Sequence, residues 1–191
     1  MILDQNINYI ISGLERSGTS MLMQILRAGD IPISHDNTRP ADESNPKGYY
    51  ELAGGKIINK LMAGSFPIKE HKGKFIKVTS FGLKYLPPGK YKIIYSERNI
   101  EEILDSMEKM IGEKDPNRED TKISFVKLNN MIKDYLQNRE DIDILFINYN
   151  SILSDPKENI FKILKFLNAP ESLLDKMIET VDKKLYRQRR T

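Results

Sequence analysis

The sequence predicts an α/β fold in three layers, a central and mainly parallel sheet flanked by helices, and three observations carry that expectation. Short apolar runs at Tyr9–Ile11, Lys74–Thr79, Tyr91–Tyr95 and Asp143–Asn148 read as buried strands. Between them, apolar residues recur at helical spacing, so strands and helices alternate rather than cluster, which favours a parallel sheet covered on both faces. The third observation is a sharp glycine-rich turn joining the first strand to the first helix.

That first unit comes first in the chain. After Tyr9–Ile11, Gly13 to Gly18 forms the turn, and Met21, Leu22, Ile25 and Leu26 mark one helical face. The run Gly13-Leu-Glu-Arg16-Ser17-Gly18-Thr19-Ser20 nearly matches the phosphate-cradling P-loop, whose glycines let backbone N–H groups close around an anion at a helix N-terminus. Thr19 stands where the nucleoside-triphosphatase loop has its lysine, and the cation sits three residues earlier as Arg16. The missing lysine is the group that reaches the outer phosphates of a magnesium-bound triphosphate. What remains is a nest of N–H groups, the hydroxyls of Ser17, Thr19 and Ser20, and a guanidinium suited to a tetrahedral oxyanion, a set that fits an anion bound without metal.

Gly29-Asp30 closes the first helix, and 31–48, interrupted by Pro32, Pro40 and Pro46, reads as a long loop. Ordered loops of that length usually bind something, so this one is expected to return toward the cradle. A short helix carries Ile57, Ile58, Leu61 and Met62, and Pro87-Pro88-Gly89 is a turn. In Asn99-Ile-Glu-Glu102, Asn99 is expected to cap a helix running to Ile111 while Glu102 reaches back in a capping box. This arrangement places Arg98 at the carboxyl end of a strand, where open α/β sheets bind ligands. Gly112–Asp120 reads as a charged, mobile connector and Ser124–Gln137 as a helix. Asp155-Pro156-Lys157-Glu158 starts another helix with an acceptor cap and an N-terminal proline, and Leu173, Leu174, Met177, Ile178 and Val181 make the last.

The composition narrows the function. A chain of 191 residues with 39% hydrophobic content suits one domain spanning 1–191. Its net charge of +3 gives no support to a nucleic-acid partner. The absence of cysteine excludes thiol chemistry and suits a reducing compartment. No secretory segment and no membrane span are evident, so a cytoplasmic location is expected. Two histidines, His35 and His71, do not make a metal site. The basic C-terminal cluster of Lys183, Lys184, Arg187, Arg189 and Arg190 reads as a solvated tail that could also dock an anion.

Arg98 has a companion in Ser106, eight residues on along the same helix. The pair, behind the strand Lys-Ile-Ile-Tyr-Ser-Glu, resembles the 3′-phosphate site of the sulfotransferase family, as Arg16-Ser-Gly-Thr-Ser20 resembles its 5′-phosphosulfate loop. Phe146-Ile-Asn-Tyr149, Asp155-Pro156 and Leu164-Lys-Phe-Leu167 are similar to the family's tyrosine segment and following helix. Asn45-Pro-Lys-Gly48-Tyr-Tyr-Glu51 is similar to a segment of small bacterial sulfotransferase-like proteins. The resemblance implies a donor, 3′-phosphoadenosine-5′-phosphosulfate (PAPS), with Arg16, Ser17, Gly18, Thr19 and Ser20 on its 5′-phosphosulfate and Arg98 and Ser106 on its 3′-phosphate. A sulfuryl group would pass to a hydroxyl or amine of a small-molecule or glycan acceptor.

The chain also departs from that pattern. Cytosolic members place a histidine base after the strand that here reads Phe75-Ile-Lys77-Val-Thr79-Ser80, and no histidine is there. The resemblance matches Lys77 to the family lysine that contacts the transferring group. Other branches use glutamate as base, which makes Glu51 the first candidate, with Asp42 and Glu43 behind it. The family's C-terminal Arg-Lys-Gly segment is missing, and Arg187 and Arg189 are its candidate substitutes. Two alternatives stand beside a sulfotransferase: a noncatalytic nucleotide-binding module of the same fold, and a P-loop small-molecule kinase.

Overall fold

In a computed structural model, which describes residues 2–36, 38–185 and Arg190, the chain forms one four-stranded parallel sheet. The strands are β1 (Asn8–Gly13), β2 (Phe75–Lys77), β3 (Tyr91–Glu97) and β4 (Ile142–Asn148), in the order β2-β1-β3-β4. Ile10 lies beside Ile76 on one side and Ile93 on the other, and Ile93 beside Ile144.

Alternation along each strand sends side chains to two separate cores. On one face Ile11, Ile94 and Ile147 pack with α1 (Thr19–Ala28), α5 (Tyr149–Ser154), α6 (Pro156–Leu167) and α7 (Leu174–Glu179). On the other, Ile10, Ile76, Ile93 and Tyr95 meet α2 (Ile57–Met62) and the C-terminal half of α4 (Arg118–Gln137). Helix, sheet and helix are therefore the three layers expected, and Ile10, Ile11, Ile93, Ile94 and Tyr95 are fully buried between them.

The strand order reverses at β1. From there the chain goes outward to β2, then returns to β3 on the opposite side, which opens a crevice beyond the carboxyl ends of β1 and β3. Helix α3 (Ile100–Ile111) leaves β3 at that crevice.

Several local expectations change. Asn99 does cap α3, accepting from the Glu101 amide at 2.9 Å, but Glu102 does not reach back to complete a capping box. Its carboxylate is fully buried and accepts from Arg98 Nε at 3.0 Å and Asn150 Nδ2 at 3.2 Å. A cation four residues earlier, desolvated beside it, outcompetes a neutral amide. Helix α4 begins at Arg118 rather than Ser124, because the Arg118 guanidinium is held by Glu101, Asp105 and Glu108 of α3 at 2.7–2.9 Å. The connector read as mobile thus shrinks to 112–117. Of the basic tail, Arg187 and Arg189 lie outside the described residues; Lys183 and Lys184 are exposed as expected, and Arg190, also exposed, pairs with Asp105 at 2.6 Å and Glu101 at 3.1 Å.

Candidate functional site

The turn after β1 is shaped by two glycines. A Cβ on Gly13 (φ +150) would fall 2.4 Å from Ser17 Oγ and 2.5 Å from the Ser96 carbonyl oxygen; one on Gly18 (φ +101) would fall 2.2 Å from the Tyr149 ring. Only glycine fits either place. Arg16 itself adopts a left-handed φ of 62°. Two carbonyls of the turn are tied back to β3 and the residue after it. Arg98 Nη1 donates to the Arg16 carbonyl at 3.0 Å, and Ser96 Oγ to that of Ser17 at 2.7 Å. Helix α1 then starts at Thr19 with no side-chain cap, so its first-turn amides are donors without an acceptor of their own. The Ser17 hydroxyl is buried and has no hydrogen-bond partner among the described residues. An uncapped turn with an orphaned hydroxyl beneath it is what an anion would complete.

The turn opens onto a cavity of about 330 Å³ lined by Arg16, Gly18, Thr19, Ser20, Glu51, Lys77, Arg98 and Ser106. The cavity thus gathers the residues expected to hold the donor, together with Glu51 and Lys77; of that set only Ser17 does not line it and lies beneath, 1% exposed. Arg16 crosses the cavity floor, donating from Nε to Ser106 Oγ at 3.0 Å. This ties the glycine turn to the middle of α3. Arg98 is turned toward the turn and stacks with its guanidinium carbon 4.6 Å from the Tyr149 ring centroid. Its ion pair with Glu102 holds it there while leaving it on the cavity wall.

Lys77, at the end of β2, is 8% exposed and donates to three acceptors: Glu51 Oε1 at 2.8 Å, Ser20 Oγ at 3.1 Å and the Tyr49 carbonyl at 3.2 Å. Burial pulls its amine below the ordinary lysine value, against the opposing pull of Glu51. The other Glu51 oxygen accepts from Arg39 at 3.1 Å, so the carboxylate is shared by two cations. The 31–48 loop does come back to the cradle, and Gln24 of α1 reaches Asn45 at 3.5 Å and the Gly48 carbonyl at 3.3 Å.

The remaining candidates lie elsewhere. Asp42 accepts the Tyr49 hydroxyl on both oxygens at 2.8 Å, and neither it nor Glu43 lines the cavity. His71 bonds Ser34 at 2.9 Å and stacks on Phe66; His35 meets the Tyr50 ring edge-on, and neither histidine reaches the wall. Sequence reasoning missed Arg39 and Tyr49 in the wall, and the packing of the Tyr149 ring onto Gly18. No cluster of three metal-ligating side chains occurs among the described residues, and no helix among them is long and apolar enough to cross a membrane.

A parallel sheet with a glycine turn and an uncapped helix N-terminus at its switch point, and arginines lining the crevice, defines a P-loop α/β fold. The chain belongs to the sulfotransferase family: the family's sulfotransferase domain matches residues 6–191. The sulfotransferase domain of the Synechococcus PCC 7002 olefin synthase shares the fold with a TM-score of 0.58 at 17% identity, over 97% of this chain and 84% of that one. Retinol dehydratase, solved with androsterone and the inactive cofactor PAP, gives 0.58 at 17% identity over 96% and 66%. A mouse sulfotransferase complexed with PAP gives 0.51 at 16% over 93% and 64%, so the chain spans just under two thirds of the length of the last two. No protein of curated function matches the chain in sequence.

Proposed function

We propose that this protein transfers a sulfuryl group from PAPS to a hydroxyl or amine acceptor within the cavity between the glycine turn, α3 and the 31–55 segment. One observation carries the reading: two arginines and an uncapped helix N-terminus share a wall with a buried lysine–glutamate pair. The donor carries about −4, roughly −2 of it on the 3′-phosphate. An exposed helix N-terminus offers an anion only about 0.3–1 kcal/mol, whereas a hydrogen bond from a charged group contributes about 1.5–3 kcal/mol. Arg98 and Ser106 would therefore fix the 3′-phosphate, and Arg16 with the Thr19 and Ser20 amides the 5′ end, over the buried Ser17. Matches to two PAP-bound proteins support a 3′-phosphorylated nucleotide as the ligand.

The donor supplies the sulfuryl group, and this chain's residues supply electrostatics and a proton acceptor. Lys77, with all three N–H bonds engaged, must release one contact to reach the reacting oxygens, and Ser20 lies beside it in the cradle. Glu51 is the carboxylate placed to take the acceptor's proton, with Arg39 retained beside it. Incubation of labelled PAPS with a broad acceptor panel tests the reading. Transfer that disappears in Glu51→Gln and Lys77→Met is expected; tight, 3′-phosphate-dependent nucleotide binding with no transfer to any acceptor would instead mark a noncatalytic module.

A further inference from the structure

The cavity has a second cationic end that the donor reading does not use. Arg39, from the 31–48 loop, lies with its guanidinium carbon 3.5 Å from the Tyr49 ring centroid and is anchored through Nη1 to Glu51. Stacking and one ion pair fix the plane of the group. Apart from Glu51 and Tyr49, the guanidinium meets no other acceptor among the described residues, and the side chain, 37% exposed, lines the cavity. Lys47 and Lys56 also line the cavity. Lys47 is held by the Thr180 carbonyl at 3.2 Å and Asp182 at 3.7 Å.

A guanidinium held flat on a tyrosine, with one edge committed and another edge open, is preorganised for a planar or tetrahedral oxyanion. It is tied directly to Glu51, so an anion docked on it would sit beside the proposed proton acceptor. Resting on the sulfotransferase reading above, we infer that the acceptor is itself anionic: a hydroxylated small molecule carrying a carboxylate or similar oxyanion, which Arg39 grips while Glu51 faces the hydroxyl. A neutral acceptor would leave the open guanidinium edge with only water to bond. The same geometry sets a spacing, since anion and hydroxyl must be separated by no more than the reach between adjacent side chains.

The test measures binding to the PAP-loaded protein, so that it does not depend on turnover. Matched probes are 4-hydroxybenzoate against 4-hydroxybenzamide, and methyl glucuronide against methyl glucoside, which separates aromatic from sugar carriers of the same charge. The carboxylate of at least one pair is expected to bind about tenfold or more tightly than its neutral partner, as a charge-assisted contact implies. In Arg39→Gln the ratio should fall close to one while PAP affinity stays within about twofold; Arg39→Lys, which keeps charge without the fork, should retain part of the ratio. Because the readout is a ratio, a general loosening of the loop moves both members of a pair alike. Equal binding within both pairs, or a ratio unchanged in Arg39→Gln, overturns the inference and leaves the donor site standing. Failure of PAP itself to bind is the separate result that removes the donor reading, and this inference with it.

Discussion

The buried contact between Lys77 and Glu51 serves structure and chemistry at once, and a double-mutant cycle can separate the two. Their side chains are 9% and 11% exposed and 2.8 Å apart. Breaking a buried pair by removing one partner typically costs about 3–5 kcal/mol. Here Glu51 keeps Arg39 at 3.1 Å when Lys77→Met is made, so the loss should fall lower, at about 2–3 kcal/mol. At this chain length each kcal/mol moves the midpoint by roughly 2–4 °C, giving a drop of about 4–12 °C. In Glu51→Gln the buried amine loses the charge that holds its proton. The folded-state pKa of Lys77 already lies below the ordinary value of 10.5. A base depressed in this way penalises folding fully at low pH and not at all above 10.5, so stability rises with pH inside that window. The window should widen downward in Glu51→Gln relative to wild type. The double variant removes both charges and should recover to within about 1–2 kcal/mol of wild type while remaining without transfer. Urea denaturation of the four proteins with a parallel transfer assay decides the matter. Additive losses would show that the two groups are not coupled, and transfer by the stable double variant would show that neither acts in the reaction.

Arg98→Lys keeps a charge but cannot span both Glu102 and the Arg16 carbonyl, so PAP affinity should fall about 10- to 100-fold while AMP affinity falls far less. Calorimetry reads both, and equal losses would reject the 3′-phosphate assignment. Gly18→Ala forces a left-handed φ on an L-residue and drives a methyl into the Tyr149 ring, and should destabilise by about 2–4 kcal/mol in urea. A loss under about 0.5 kcal/mol would mean that the ring gives way freely. At alkaline pH, burial pushes the Tyr91 phenol from 10.0 up to about 12 and raises that of Tyr95 further. A raised folded pKa gives stability that is complete below pH 10 and lost between 10 and 12, amounting to about 2–3 kcal/mol for Tyr91. Denaturation midpoints in Tyr91→Phe should therefore fall less over that interval than in wild type.

The parts of the fold that could be read from sequence are those fixed by nearest neighbours along the chain. Strands β1, β3 and β4 are apolar runs because the sheet is covered on both faces, and the Asn99 and Asp155 caps depend on amides only two or three residues away. Arg16 and Arg98 were legible because a glycine turn and a strand end constrain where such side chains can go, whereas Ser106, inside a helix, was legible only through the family resemblance. The start of α4 was not, because its first turn is wholly polar and its register comes from Arg118 reaching three carboxylates of α3. Glu102 misled for the opposite reason: its local spacing fits a capping box, but burial turns it toward Arg98. Arg39 carried no signal, and Tyr49 only as part of the Asn45–Glu51 resemblance, since an arginine in a proline-broken loop and a tyrosine ten residues on acquire a joint meaning only when the two meet in the fold.

The charge distribution joins these pieces. Seven cations and three carboxylates line the cavity among the described residues, an excess of four, whereas the whole chain carries only +3. The remainder of the molecule is therefore close to neutral or slightly negative, and the positive field is concentrated at one crevice, where low-dielectric walls strengthen it. A modest net charge gave no support to a nucleic-acid partner; the same modest total, gathered at one place, has the sign that attracts the proposed donor of about −4. Two of the lining cations are paired with carboxylates, Lys77 with Glu51 on the wall and Arg98 with Glu102 buried behind it. Each carboxylate fixes an arginine or lysine against its own kind, so that cations which would repel one another are held in place before any anion arrives. The crevice is thus preorganised by its carboxylates as much as by its glycines.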